Sequence, residues 1–167
     1  MVDRRQAIPL VMVVAGLAGV AISIYLTAVH YAGVPLVCSS TGVVNCERVL
    51  SSSYSSVMGI PWSVAGIVWF AVATAGALIA LRRPEPAFLQ PAQVAWSLFG
   101  FATVLYLVGV EAISLGVLCA WCTALHGLVL VALVLSIART PSLPEAASGG
   151  DRDRRPPRPA TPTRTRV

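Results

Sequence analysis

Charged residues are scarce in this sequence, and lysine is absent from it. Only 11% of the 167 residues are charged and 56% are hydrophobic, whereas soluble domains carry about 25% charged residues. This composition excludes an ordinary water-soluble domain. Six of the twelve arginines lie within residues 152–167, a segment with no aromatic residue to stack on bases. The net charge of +5 therefore does not indicate a nucleic-acid partner.

Four long apolar runs occupy most of the chain. A bilayer core of about 30 Å requires roughly 20 apolar residues per helix, and the runs cover residues 7–30, 61–81, 92–113 and 117–137. We therefore predict an all-α integral membrane protein, a four-transmembrane-helix bundle with a cysteine-containing cap loop between helices 1 and 2. The first run could instead be a signal peptide, but its length exceeds the usual core of about 7–15 residues. An uncleaved first helix is the favoured interpretation.

The arginines predict the orientation of the bundle. Eleven of the twelve fall on one side of a four-helix arrangement, and Arg48 alone falls on the other. The positive-inside rule then places both termini in the cytoplasm and the cap loop, with all four cysteines, on the outer face. Residues 1–139 would form the membrane domain. Residues 140–167, rich in Arg and Pro, are too polar to bury and are predicted to be a disordered cytoplasmic tail.

The four cysteines form two pairs with different spacing. Cys119 and Cys122 form a Cys-x-x-Cys at the head of the fourth run, where a helix N-terminus lowers thiol pKa values. They could also be inert buried cysteines or half of a metal site. Cys38 and Cys46, eight positions apart, could form a static disulfide or pass electrons to the second pair by thiol–disulfide exchange. Because a C-x₇-C spacing fits zinc sites poorly, we predict no metal.

Two ionisable residues lie in or near the predicted membrane helices. His126 follows Cys122 by one helical turn on the same face. A polar ring at that depth is a functional candidate, for example as a donor to a quinone carbonyl, although a packing role is equally compatible. Glu111, near the outer end of helix 3, is expected to be an interfacial residue in water. Its alternative roles are to orient the loop or to relay protons.

Polar and aromatic residues of the cap loop and helix ends supply further candidates. Glu47–Leu50 is predicted to form a short helix with Asn45 as its N-cap. Ser52 follows Cys46 by six positions and could bond a cofactor. The tryptophans are typical of interfacial anchors; they are Trp62, Trp69, Trp96 and Trp121.

Taken together, these residues resemble the vitamin K epoxide reductase family, specifically its bacterial members. The resemblance covers about Ala7 to Ile137 and is specific in its cysteine spacing and order. The matching residues are Tyr25-Leu26-Thr27, Cys38, Asn45-Cys46-Glu47, Ser51-Ser52, Gly59-Ile60-Pro61, Gly66, Tyr106-Leu107, Glu111 and Cys119-Ala120-Trp121-Cys122.

The resemblance implies a four-helix bundle around a quinone, with the loop as a cap. It implies that Cys38 meets a partner protein, that Cys46 exchanges with Cys119 and that Cys122 lies nearest the quinone. Ser52 matches the family serine near the cofactor.

The chain also departs from the family pattern. The asparagine and tyrosine that contact the quinone in the animal enzymes are replaced here, in our interpretation by Trp62 and His126. This replacement favours reduction of a menaquinone- or ubiquinone-class quinone, with a vitamin K type as the alternative. Only 28 residues follow Arg139 and they contain no cysteine. A separate extracytoplasmic thioredoxin-fold oxidase is therefore the expected partner, and the bacterial cytoplasmic membrane the expected location.

We accordingly predict a quinone-dependent thiol/disulfide oxidoreductase that reoxidises the partner and drives disulfide bond formation. The alternatives are vitamin K quinone or epoxide reduction and a non-enzymatic tetraspan scaffold with a structural loop disulfide. The other bacterial four-helix thiol:quinone oxidases have their Cys-x-x-Cys before the spaced pair. The reversed order in this chain argues against that family.

Overall fold

Four long apolar helices dominate the computed structural model, which describes residues 4–33, 36–38, 42–82 and 86–140. The long helices are α1 (Arg4–Ala32), α3 (Trp62–Ala80), α4 (Leu89–Gly109) and α5 (Ala120–Ala138). The two shortest have 19 residues each, or about 28 Å at 1.5 Å per residue, enough to cross a bilayer core. The predicted all-α, four-helix membrane architecture is confirmed. The tail predicted from residue 140 onward falls, beyond Thr140, outside the described residues.

The helix ends differ from the predicted ends in ways that local chemistry explains. Pro61 is the N-cap residue of α3, because its fixed φ of −68° suits a helix start. At its C-terminal end α4 continues as a π-helical segment, Val110–Leu115, and Gly116 then ends it with a left-handed φ of 65°. The apolar span consequently extends from Leu89 to Leu115, beyond the predicted residue 113.

Helices α1 and α3 pack closely because small residues line their contact. A side chain at Gly19 would overlap the ring of Phe70, and one at Gly16 would overlap the Thr74 hydroxyl. Small residues allow helix backbones to approach each other, which is how helices associate tightly in a membrane.

Helices α3 and α4 are joined by a reciprocal pair of tryptophans. The rings of Trp69 and Trp96 stack at 6.5 Å with an interplanar angle of 11°. Each indole N–H donates to the main-chain oxygen of the other residue, at 3.2 and 3.1 Å. Trp69 is buried in a core cluster with Phe70 and Val104. The prediction that Trp69 is an interfacial anchor is therefore wrong.

The cap between α1 and α3 contains short elements that pack on one end of the bundle, beside the C-terminal end of α4 and the start of α5. Helix α2 (Cys46–Leu50) begins at Asn45, whose side chain accepts from the Arg48 N–H at 2.9 Å, as predicted. A 3₁₀ turn (Ser53–Ser55) and a two-stranded hairpin follow, β1 (Ser56–Val57) and β2 (Ile60–Pro61). The sequence did not predict this hairpin.

Candidate active site

Cys38 and Cys46, called the outer pair because they lie in the cap, away from the helix core, are oxidised. Cys38 and Cys46 form a disulfide, with their Cα atoms 6.2 Å apart. Cys46, the first residue of α2, is only 1% exposed, whereas Cys38 is half-buried. A thiol arriving from water would therefore reach Cys38 before Cys46.

The inner cysteine pair is reduced and lies at the start of α5. Cys119 is the N-cap residue, and its sulfur accepts the backbone N–H of Cys122 at 3.3 Å. The hydrogen bond with the Cys122 side chain lowers the pKa of the Cys119 thiol, and it outweighs burial, which raises that pKa. The helix position matches the prediction. Cys119 is thus the sulfur of this pair that is better prepared to be a thiolate.

A short backbone bridge brings the two pairs together. Val44 and Leu118 are bridged like neighbouring strands: Asn45 N donates to Leu118 O at 3.0 Å, and Leu118 N donates to Val43 O at 2.8 Å. Strands paired in this way lie about 4.8 Å apart. Cys46 follows Val44 by two positions, and Cys119 follows Leu118 by one. Consequently Cys46 and Cys119 belong to one buried cluster, against which Cys38 and Cys122 also pack.

A cavity of about 220 Å³ lies beneath the inner pair, between the helices and the cap. Its wall is mainly apolar, formed by residues such as Leu26, Phe70, Val104, Leu125 and Val129. Polar groups line it as well, and they include every residue proposed from the sequence to bind a cofactor. These residues are Ser52, Trp62 and His126, and they line the cavity together with Cys122 and Glu111.

The three candidate cofactor residues differ in what their polar groups can do. The Ser52 hydroxyl donates to Val49 O at 2.8 Å, so its proton is already used within the cap. His126 and Trp62 carry ring N–H groups, and Trp62 also contacts the Tyr106 ring with centroids 6.1 Å apart. A ligand carbonyl needs a donor. His126 and Trp62 therefore suit it better than Ser52 does.

Glu111 occupies a different place from the one expected. It is 4% exposed, and its Oε2 accepts the backbone N–H of Cys119 at 3.1 Å. Its carboxylate is also hydrogen-bonded to the side chain of Cys122. The expectation of an interfacial residue in water is wrong, because the π-helical segment turns Glu111 inward beneath the cysteine pair.

Sequence reasoning missed several residues of this site. His30, on α1, and Tyr54, in the cap, line the cavity, but neither lies in a motif that indicates a site. Tyr25 and Trp121 contact the segment that carries Cys38. Both belong to the residues that resemble the family, but Tyr25 was given no role of its own and Trp121 was predicted only to be an interfacial anchor.

Within the described residues, no three His, Cys, Asp or Glu side chains come close enough to hold a metal ion. The outer cysteines are joined in a disulfide, and the Cys122 thiol of the inner pair lines an apolar cavity with polar groups. Such a site on a four-helix membrane bundle is typical of membrane redox proteins.

The chain belongs to the vitamin K epoxide reductase family, whose sequence model matches residues 10–137. None of the curated proteins matches it closely enough to be counted as a relative. Members of the family are membrane redox enzymes that use quinones and generally work with thioredoxin-like partners. The chain is therefore an integral membrane oxidoreductase.

Proposed function

We propose that this protein is a thiol:quinone oxidoreductase that reoxidises a separate extracytoplasmic thioredoxin-fold protein. The observation that carries the proposal is the order of its cysteines in space. The accessible Cys38 is bonded to the buried Cys46, Cys46 shares a cluster with Cys119, and Cys122 lines the cavity. Electrons entering at the water side would follow this order to the cavity.

The proposed transfer consists of balanced thiol–disulfide exchanges. A thiolate of the partner attacks Cys38, forms a mixed disulfide with it and releases Cys46. The partner's second thiol then attacks the partner sulfur of this mixed disulfide and releases Cys38, which leaves the partner oxidised and the outer pair as a dithiol. When the inner pair is a disulfide, Cys46 attacks Cys119 and releases the Cys122 thiolate beside the cavity. Cys38 then attacks Cys46, which restores the outer disulfide and releases Cys119. Each step breaks one S–S bond and forms one.

The cavity supports a quinone ring as the electron acceptor. Its volume of about 220 Å³ is below the roughly 300–1,000 Å³ of pockets that enclose drug-sized ligands. The cavity would therefore hold the quinone ring, and a long apolar tail of the quinone would lie among the helices or in lipid. His126 and Trp62 would donate hydrogen bonds to ring oxygens, and the apolar wall would exclude water. When bound, a quinone supplies the sink for two electrons and two protons.

The proposed orientation puts the cap and all four cysteines outside the cytoplasm and both termini inside. It is supported by the arginines, since Arg82 and Arg139 lie at helix ends opposite the cap and Arg48 alone lies within it. Residues 1–139 would form the redox domain and residues 140–167 a cytoplasmic tail. Removing residues 141–167 should accordingly leave quinone reduction intact.

The direct test combines purified protein, a reduced thioredoxin-fold oxidase and a short-chain menaquinone analogue without oxygen. We expect loss of quinone ultraviolet absorbance at a rate that depends on the partner. Cys119→Ala and Cys122→Ala should each abolish it, and Ser53→Ala, which changes an exposed cap residue, should not. Unimpaired quinone reduction by either cysteine variant would refute the proposal.

Two changes to this test separate the alternatives. Supplying vitamin K epoxide in place of the quinone measures epoxide reduction directly. In Cys46→Ala, the Cys38 thiol has lost its intramolecular partner, and the thioredoxin-fold protein is supplied in its disulfide form. The Cys38 thiolate should attack that disulfide, form a mixed disulfide with one partner sulfur and release the other as a thiol. A tetraspan scaffold with a static disulfide would give neither quinone reduction nor this mixed disulfide.

A further inference from the structure

The backbone of Val37, the residue before Cys38, is held by two side chains from different parts of the chain. Val37 N donates to the Tyr25 hydroxyl at 3.2 Å, and Trp121 Nε1 donates to Val37 O at 2.9 Å. The Tyr25 and Trp121 rings also contact each other, with centroids 5.3 Å apart and an interplanar angle of 57°. We call Tyr25 and Trp121 the Val37 clamp.

The clamp connects the segment that carries Cys38 to two helices of the bundle, α1 and α5. Tyr25 lies on the long helix α1, and Trp121 lies in the first turn of α5, between Cys119 and Cys122. Cys46 is fixed independently, by burial and by the bridge between Val44 and Leu118. Cys38 follows Val37 directly, so the two hydrogen bonds of the clamp hold the backbone next to it. The clamp is therefore a tether for Cys38 that does not depend on the disulfide itself.

We propose that Tyr25 and Trp121 are positioning residues that hold Cys38 for closure of the Cys38–Cys46 disulfide. The inference rests on the proposed function, in which this closure is the step that renews the outer pair. The Cys38 thiol loses its proton to water, and its sulfur attacks Cys46 Sγ in the Cys46–Cys119 mixed disulfide. The Cys38–Cys46 bond forms, the Cys46–Cys119 bond breaks, and Cys119 leaves with the electron pair.

The clamp and the disulfide should stabilise each other. Closing the disulfide restricts the Val37 backbone and so lowers the entropy lost when the clamp forms; by linkage, the clamp favours the closed disulfide to the same extent. A reaction between groups already held in place also avoids much of the entropic cost of bringing them together. Loss of the clamp should therefore shift the outer pair towards its dithiol form and slow closure.

The test uses Tyr25→Phe and Trp121→Phe, which remove one hydrogen bond each and keep an aromatic ring. The full-length protein is equilibrated in glutathione buffers. Alkylation and peptide mass spectrometry then measure the dithiol and disulfide forms of each cysteine pair. Since a partly exposed hydrogen bond contributes modestly, we expect the outer closure constant to fall about threefold in each variant and about tenfold in the double variant. Tyr31→Phe, which changes an exposed tyrosine on the same helix, is the matched control.

The inner pair distinguishes positioning from general damage. Tyr25→Phe should leave the Cys119–Cys122 equilibrium unchanged, whereas loss of folding would shift both pairs and lower the thermal midpoint. An unchanged outer equilibrium in a folded double variant would overturn the inference. If the wild-type protein reduces no quinone, the proposed function fails, but the outer-pair equilibrium still reports on the clamp.

Discussion

Glu111 connects the two thiol-bearing residues of the inner pair. It accepts the Cys119 N–H, is hydrogen-bonded to the Cys122 side chain and lines the cavity. A carboxylate in this position can take the Cys122 proton as that sulfur gives up electrons. Other ionisable side chains that line the same cavity include His126 on α5, His30 on α1 and Tyr54 in the cap.

Glu111→Gln tests this proton transfer. The amide keeps an oxygen for the Cys119 N–H but cannot accept a proton, so single-turnover oxidation of the reduced inner pair by a short-chain quinone should slow. We expect a loss of about 100-fold, at the lower end of general acid–base effects, and partial activity in Glu111→Asp. Stopped-flow absorbance measures the rate. Glu47→Gln, which changes an exposed carboxylate of α2, is the control and should leave the rate unchanged. A rate in Glu111→Gln equal to that of the wild-type protein would rule out proton transfer by Glu111.

The pKa of the Cys119 thiol should lie below the ordinary value for a cysteine. Because the Cys122 hydrogen bond lowers its pKa, its thiolate should form below the usual pKa of about 8.5 and disappear as the pH falls through the lowered value. Ultraviolet thiolate absorbance of the reduced inner pair, with the outer disulfide intact, measures this transition. Cys122→Ala removes the bond and should move the Cys119 transition upward. A wild-type transition at or above the ordinary value would contradict the assignment.

At the scale of elements, the long helices and the short helix α2 with its Asn45 N-cap could be predicted from the sequence, whereas the π-helical segment and the cap hairpin could not. Runs of apolar residues long enough for a bilayer have few other stable structures. The Val110–Leu115 π-helical segment is mainly apolar, like the helix before it, so its residue types did not predict the change of helix type that accompanies the burial of Glu111. The hairpin depends on positive φ values at Met58 and Gly59, and only the glycine indicates a turn by its type.

The contact between α1 and α3 should limit the stability of the bundle. Gly19→Ala would overlap the Phe70 ring, and overpacking of this kind costs typically about 1–3 kcal/mol. We expect a lower thermal midpoint for the detergent-purified protein. Gly127→Ala is the matched control, because a side chain there meets nothing within 4 Å. Equal destabilisation by both variants would show that loss of helical glycine, and not the α1–α3 contact, is responsible.

At the scale of the whole molecule, the sequence predicted most residues of the site but not the contacts that hold them together. The cysteines, Ser52, Trp62 and His126 were all singled out, and the structure brings the last three together around one cavity. The bridge between Val44 and Leu118, which joins the cap to α5, uses backbone groups. Backbone groups are common to all residues, so residue types did not predict this bridge. The contacts of Tyr25 and Trp121 were not predicted for a related reason, since both side chains bond the backbone of Val37.

The proposed orientation in the membrane can be measured directly. Met58 is 98% exposed at the tip of the cap hairpin, and Ala87 is exposed in the turn before α4, at the opposite end of α3. If the arginine-rich end is cytoplasmic, a membrane-impermeant maleimide should label Met58→Cys in intact cells and Ala87→Cys only after permeabilisation. The unsubstituted chain gives the background from its own thiols. Labelling of Ala87→Cys alone in intact cells would reverse the orientation and place the cysteine pairs on the cytoplasmic side, where a partner outside the membrane could not reach Cys38.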